Sequence, residues 1–522
     1  MKLKPLPIGN QTFRKIIEGG FLYVDKTKWL YELINNPSAV YFLSRPRRFG
    51  KSLLISTLDE IFQGNRDLFN GLWLYNSPYQ WQQHPVIRID FSGIPVRSAD
   101  ELEQSIKRVI RRIAHQYQVK INEGSYIAQF NDLIFEMAQQ NEVVILIDEY
   151  DKPILDNIVD TAEAERIRDV LKRFYGIIKS MDAYIRFVLL TGISKFSRVG
   201  VFSDLNNLDD LTMDSQYSAM LGITQEELEA NFTDYLHAFA QEREKEPDIL
   251  LAQIKKWYNG FCFSRRCQPV YNPFSLLLLF KKYEFRNYWF ESGTPTFLVK
   301  LLKKQQYDLQ QLENLQLSEF GFSTYEIGNL DIIPLLFQTG YLTIKEYESR
   351  FQTFTLSYPN YEVKKSFMTY LLHAYSETDL AFSSSTLKKL AMALFNQDLE
   401  RFFDILSSFL ATIDYMLHIK QEKYYQTIFY LIFRLIGLEI QAEVRTNQGR
   451  IDAVVETDDA VFIFEFKLDK SATIALAQIK EKKYFAPYLL KEKPLYLVGV
   501  SFSMETREIK EWVVSGAVAG DK

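Results

Sequence analysis

Two short segments constrain this chain more than anything else in it. The first is an apolar run, Ala39 to Leu43, followed by Ser44-Arg45-Pro46-Arg47-Arg48-Phe49-Gly50-Lys51-Ser52 and then by Leu54, Leu58, Ile61 and Phe62 on one helical stripe. The second is Val143-Val144-Ile145-Leu146-Ile147, which ends in Asp148-Glu149. Short apolar runs rich in β-branched residues read as buried strands. A strand, a loop ending in Gly-Lys-Ser and a helix form a phosphate-binding arrangement. The first N–H groups of the helix are unpaired, Lys51 reaches the outer phosphates, and the Ser52 hydroxyl can ligate Mg²⁺. A strand delivering two carboxylates at its end supplies the rest: Asp148 to hold Mg²⁺ through water, and Glu149 to polarise an attacking water.

The loop departs from the usual pattern at Arg45, where a glycine is expected. Because Arg45 precedes Pro46 it is biased toward an extended backbone, so the turn must differ from the usual cradle. Arg47, Arg48, Phe49, Gly50, Lys51 and Ser52 are therefore the nucleotide-contacting candidates, with Arg47 and Arg48 adding charge where phosphates lie. A core strand capped by acidic loop residues would explain Asp148 and Glu149 without function. The two motifs in order, with strands Val86 to Asp90 and Ile185 to Leu190 and helices between them, favour an ATP site. Thr191 and Ser194, at the tip of the strand expected beside Asp148, are candidates for sensing the terminal phosphate.

Composition narrows the metal chemistry. Only Cys262 and Cys267 are present, which rules out a disulfide framework, and we read both as structural thiols of a reducing, cytoplasmic compartment. The five histidines show no ligand spacing, so carboxylates and hydroxyls are the available metal ligands, and those suit Mg²⁺. No signal peptide opens the chain and no apolar stretch is long enough to span a bilayer, so no membrane partner is expected. Net charge is −5, from 61 Lys and Arg against 66 Asp and Glu, but Met1 to Lys51 carries ten basic side chains and three acidic ones. Such local asymmetry can meet phosphates, although basic clusters such as Lys480/Lys482-Lys483 are more often solvated helix faces.

From Gln225 to Lys304 the pattern is helical. Asp331 to Gly340 reads as a helix, followed by strands Tyr341 to Glu346 and Thr353 to Tyr358, a winged-helix-like unit to which no base-reading role is given. Near the carboxyl end, Tyr425, Ile428, Phe429, Ile432, Leu435 and Ile436 mark an amphipathic helix. Strands at Glu439 to Thr446, Arg450 to Val455 and Ala460 to Lys467 follow, then a helix from Ser471 and a strand from Leu495 to Val500. A turn centred between Thr457 and Asp458 would set Asp452 opposite Ile463. Glu465 and Lys467 share that face by the period of two, so Asp452, Glu465 and Lys467 converge. Two carboxylates and an ammonium suit Mg²⁺-dependent phosphodiester hydrolysis, with Asp452 and Glu465 as ligands and Lys467 orienting water. Charges embedded among the phenylalanines of Phe462-Ile463-Phe464-Glu465-Phe466-Lys467 are costly unless they serve a function.

Tyr23-Val24-Asp25-Lys26-Thr27, Phe42 to Ser52, Ile147 to Pro153, Asn206-Asn207-Leu208 and Gly449-Arg450-Ile451-Asp452 resemble bacterial AAA-ATPase-like proteins fused to a PD-(D/E)XK nuclease domain. The resemblance covers nearly the whole chain, and it makes the Arg-Pro-Arg-Arg-Phe-Gly-Lys-Ser loop a family trait. It implies an amino-terminal ATP-binding module and a carboxyl-terminal nuclease core of Asp452, Glu465 and Lys467, supported by Gln478 and Tyr484 from the following helix. Many such nucleases add a first-helix glutamate as a metal ligand. Glu422 is the best-placed candidate, while simple pairing puts Val444 rather than Glu443 beside Asp452. AAA-type ATPases often take an arginine from a neighbouring subunit, which leaves a homo-oligomer open.

The expected fold is α/β: a P-loop NTPase-type parallel sheet, a helical and winged-helix-like middle, and a PD-(D/E)XK α/β domain. The expected divisions are 1–220, 221–305, 306–375, 376–420 and 421–522. The leading functional reading is an ATP-regulated, Mg²⁺-dependent nuclease whose partner is nucleic acid, DNA ahead of RNA. The rival is a nucleotide-dependent switch or scaffold whose nuclease fold binds nucleic acid or a protein without cutting.

Overall fold

The computed structural model describes residues 3–36, 40–195, 201–202, 205, 207–291, 296–305, 307–322, 325–326, 329–413, 422–439, 443–446, 452–491 and 493–516. The chain divides into two compact units. One is Met1–Leu298 with Leu312–Val363, and the other is Val299–Gln311 with Lys364–Lys522. Among the described residues no helix is long and apolar enough to cross a membrane.

The first unit is built on strands β1 (Val40–Ser44), β2 (Val86–Asp90), β3 (Val143–Asp148), β4 (Ile185–Gly192) and the two-residue β5 (Asp209–Asp210). Their order is β2-β3-β4-β1-β5, with every pair parallel. Helices Lys51–Phe62, Ala99–Tyr117, Tyr126–Ala138 and Thr161–Ser180 alternate with them along the chain. β1 and β3 are buried along their full length, as parallel strands covered on both faces must be, which explains their unbroken apolar sequence. Leu58, Leu146 and Leu189 meet Phe13, Leu30 and Tyr41 in the core. The order matters for function. It sets β4 between the strand that feeds the Gly-Lys-Ser loop and the strand that ends in Asp148. Leu43 pairs with Thr191 and Ile147 with Leu190, so all three strands end at one edge.

Downstream, helices Gln225–Glu242, Pro247–Tyr258 and Pro273–Lys282 share a second apolar core. The first of them opens with a capping box between Thr224 and Glu227. Next come β6 (Leu315–Ser318), the short ribbon β7 (Tyr325–Glu326) and β8 (Asn329–Leu330), helix Ile332–Gln338, then β9 (Thr343–Glu348) and β10 (Thr353–Ser357). β9 and β10 pair as the expected hairpin, and β6 joins them in the order β6-β10-β9. The cysteines correct the sequence reading. They are not separate thiols: a Cys262–Cys267 disulfide closes a short loop, because the Phe261 to Val270 bridge folds the chain back and brings their Cα atoms to 5.3 Å.

The second unit carries β11 (Glu443–Thr446), β12 (Asp452–Glu456), β13 (Val461–Leu468), β14 (Leu495–Phe502) and β15 (Ile509–Ser515), ordered as numbered. β13 and β14 are parallel and the other pairs antiparallel. Of the strand expected from Glu439, Glu443–Thr446 is strand and Glu439 closes helix Glu422–Glu439, while residues 440–442 lie outside the described residues. The Asn447-Gln448-Gly449 turn, the Gly449-Arg450-Ile451 lead-in and Asn206 lie outside the described residues. On β13 the period of two sorts the side chains. Phe464 and Phe466 pack on Phe402, Phe429 and Phe433, with Phe462 stacked on Tyr496, whereas Val461 and Ile463 pack with Ile479 and Leu497. Glu465 and Lys467 therefore fall on the face covered by helix Ala472–Glu481.

Candidate functional site

At the edge where β1, β3 and β4 end, the loop after β1 turns through two positive-φ residues, Arg48 (67°) and Gly50 (95°). No side chain caps the helix that follows, so its leading N–H groups are left for a ligand. Lys51 Nζ donates to the carbonyls of Arg45 (2.9 Å) and Pro46 (3.2 Å). Burial lowers its pKa, against the pull of Glu149, Asp148 and Asp151. Burial raises the Glu149 carboxyl, and Lys51 opposes that shift. Lys51 and the acidic end of β3 thus share one electrostatic neighbourhood.

Arg45 takes a role that sequence reasoning missed. It is 1% exposed, and its guanidinium donates to the carbonyls of Ser44, Thr212 and Tyr217 while lying 4.4 Å over the Phe263 ring. Burial pushes its pKa down to about 9. The residue replacing the usual glycine is therefore an anchor for the root of the loop. Phe49 is also buried, against Phe261 and Phe263, while the exposed Arg48 lies over Phe274 and Arg47 stays exposed. The Trp289 indole donates to Arg47 O (3.0 Å), and Gly340 packs on Pro46. Nothing in the local sequence of Trp289 or Gly340 announces these contacts, which join segments far apart in the chain.

Asp148 is buried, and its Oδ1 accepts from Thr191 Oγ1 (2.6 Å) and from the Glu149 N–H. Ser194 does not reach Asp148; its hydroxyl donates to Asp151 (2.6 Å). Beside Gly50 lies an apolar cleft of about 120 Å³, bordered by Leu22, Val24, Leu54, Gly222 and Pro273. Its mostly apolar lining suits the face of a flat heteroaromatic ring.

In the second unit the hairpin register differs from expectation. The Thr457 to Ala460 turn centres one residue later than assumed, so Asp452 pairs with Glu465, and Val454 takes the place opposite Ile463. The shift is by two residues, an even number, so the face assigned to each position is unchanged. Val444 pairs with Val455 rather than with Asp452, and Glu443 sits opposite Glu456, at the far end of β12. The side chains of Asp452, Glu443 and Glu422 lie outside the described residues; Glu422 opens helix Glu422–Glu439.

Glu465 is fully buried. Its Oε1 accepts from Lys467 Nζ (2.7 Å) and from the Gln478 amide, whereas Oε2 has no hydrogen-bond partner among the described residues. An orphaned buried carboxylate oxygen costs free energy on the order of 1–3 kcal/mol unless a cation meets it. The donor set therefore fits a divalent metal at the register position Asp452 shares with Glu465. Gly499, opposite Glu465 on β14, lets the helix come close: a Cβ there would stand 2.3 Å from Ala472 O and 2.6 Å from Leu476 N. Tyr484 packs with Val461, Ile463 and Ile479, nearer the start of β13 than Glu465.

Comparison with known proteins matches the two units to two descriptions. Residues 7–202 match a predicted AAA-ATPase, and residues 420–512 match the PD-(D/E)XK nuclease superfamily. The chain is also similar to an uncharacterized protein in the vnfD 5' region of Azotobacter chroococcum mcd 1. The identity is 40% over 527 residues, covering 98% of this chain and 99% of that one.

Proposed function

The chain belongs to the AAA-ATPase-like proteins that carry a carboxyl-terminal PD-(D/E)XK nuclease-superfamily domain, and from that membership we propose that it is an ATP-regulated, Mg²⁺-dependent nuclease acting on DNA ahead of RNA. Those domains suggest nucleotide binding and nuclease chemistry, with a nucleotide, a divalent metal and a nucleic acid as ligands. The observation that carries the finer reading is the bare Oε2 of Glu465, buried beside an oxygen already held by Lys467 and Gln478.

In this reading Asp452 and Glu465 hold Mg²⁺, with Glu422 as a further candidate ligand. When bound, the ion activates water and offsets charge on the attacked phosphate. Lys467 stands where it can orient that water and meet charge building on the phosphate. Gln478 keeps the carboxylate turned so that Oε2 stays free, and Tyr484 supports the helix carrying Gln478. In the first unit, the cleft beside Gly50 takes the base of ATP. Arg47, Arg48, Phe49 and the N–H groups after Gly50 form the phosphate loop, and Lys51 moves from the Arg45 and Pro46 carbonyls to the phosphates. Ser52 and Asp148 hold the nucleotide's Mg²⁺, Glu149 accepts a proton from the attacking water, and Thr191 and Ser194 line the adjacent strand tip. The divisions 1–220, 221–305, 306–375, 376–420 and 421–522 remain our proposal for the domains, with a homo-oligomer left open.

Incubating the purified chain with single- and double-stranded DNA and RNA tests this directly. Cutting that requires Mg²⁺ and disappears in Lys467→Ala is the expected result. Equal cutting by that variant would sink the assignment. Glu149→Gln separates a hydrolase from a switch or scaffold: a hydrolase keeps ATP binding and loses turnover, while a switch shows little turnover in either form.

A further inference from the structure

Asp151 is a buried, multiply hydrogen-bonded carboxylate of the first unit, and none of the roles above uses it. It is 0% exposed. Its Oδ2 accepts from the N–H groups of Ile193 (3.1 Å) and Ser194 (2.6 Å) and from the Ser194 hydroxyl (2.6 Å), with a longer Ile193 contact to Oδ1 (3.3 Å). Among the described residues no lysine or arginine forms an ion pair with it; its direct partners are backbone and hydroxyl donors converging at the end of β4, with a longer-range pull from Lys51.

The segment it grips, Gly192 to Ser194, touches both halves of the candidate nucleotide site. On one side Arg45 N donates to Gly192 O (3.2 Å) and Ser44 Oγ to Ile193 O (2.5 Å), at the root of the phosphate loop. On the other, the neighbouring Thr191 hydroxyl holds Oδ1 of Asp148. The fit is close. A Cβ on Gly192 would lie 2.6 Å from the Tyr150 ring and 2.7 Å from Asp151 Oδ1. Tyr150 adds two bonds of its own, from its N–H to Thr191 O (3.0 Å) and from its hydroxyl to Ser194 O (3.0 Å).

We propose that Asp151 is a positioning residue for the nucleotide's metal: by clamping Gly192 to Ser194 it fixes the Asp148 carboxylate relative to the phosphate loop. The proposal rests on the nucleotide reading of that site. Thr191 occupies one oxygen of Asp148 and fixes its rotamer, leaving the other oxygen for the metal's water. Thr191 is held in turn by the segment that Asp151 grips. Groups that orient a metal ligand without touching the metal act mainly on metal affinity.

The test is ATP binding to the full chain, titrated with Mg²⁺ and repeated in excess chelator, for the unsubstituted protein, Asp151→Asn and Ser194→Ala. Asp151→Asn is expected to raise the Mg²⁺ concentration needed for half-maximal binding by about ten- to a hundredfold, with chelator-state affinity changed less than about threefold. Ser194→Ala keeps the carboxylate and its two backbone donors, so it should shift the Mg²⁺ requirement in the same direction by less. It carries the test if Asp151→Asn does not fold. An unchanged Mg²⁺ requirement, or equal losses with and without Mg²⁺, would overturn the positioning role. Failure of the unsubstituted protein to bind ATP at all would overturn the nucleotide reading and this assignment with it.

Discussion

A carboxylate with one oxygen saturated and the other bare, as in Glu465, makes a prediction about stability as well as chemistry. Without metal, Glu465→Gln removes a buried charge yet keeps an oxygen to accept from Gln478 and from the partly exposed Lys467, so the variant should unfold within about 1 kcal/mol of the parent. With Mg²⁺ added, only the parent should gain thermal stability, because ligand binding to the folded state alone shifts the equilibrium. Equal Mg²⁺ stabilisation of both would contradict the metal assignment. Lys26 supplies a second residue-scale test. Its ammonium donates to Glu227 (2.7 Å) and Ala219 O, and burial lowers its pKa below the ordinary 10.5. Between the folded value and 10.5 the unfolded chain holds this proton and the folded chain does not, so stability rises with pH across that window. Lys26→Met should flatten that alkaline slope in denaturant melts.

Elements were legible where burial writes itself into the sequence. β1, β3 and β13 sit within a residue or so of their expected spans, because strands covered on both faces are apolar throughout, or carry a conspicuous charge where they are not. The exact register of β12 against β13 was not legible. It depends on which residues close the Thr457 to Ala460 turn, and several polar residues there could have done so. The face assigned to Asp452, Glu465 and Lys467 was unaffected because the slip was even. Arg45 and Asp151 were invisible for another reason: their partners, Thr212 with Tyr217 and Ile193 with Ser194, are mostly backbone groups, which any sequence supplies. At this scale Gly499→Ala is expected to cost roughly 1–3 kcal/mol by pushing helix Ala472–Glu481 off the sheet. It should also weaken Mg²⁺ binding, since Gln478 rides on that helix. A melt together with Mg²⁺ calorimetry would read both effects, and an unchanged Mg²⁺ affinity would detach Gln478 from the metal site.

For the whole molecule, the two units divide the chemistry between them. Each presents a basic side chain near a buried carboxylate: Lys51 near Asp148, with the half-buried Glu149 beside it, and Lys467 on Glu465. The scarcity of cysteine and histidine left carboxylates as the expected metal ligands, and our proposal assigns Asp148 to that role in one unit and Asp452 with Glu465 in the other. Regulation of one by the other, as proposed, is read most directly by a cleavage assay. Duplex and single-stranded DNA are incubated with Mg²⁺, with and without ATP, using the parent chain, Lys51→Ala and Lys467→Ala. Mg²⁺-dependent cutting is expected whose rate changes with ATP in the parent, loses its ATP response in Lys51→Ala, and vanishes in Lys467→Ala. Cutting that persists in Lys467→Ala, or an ATP response that survives in Lys51→Ala, would contradict it.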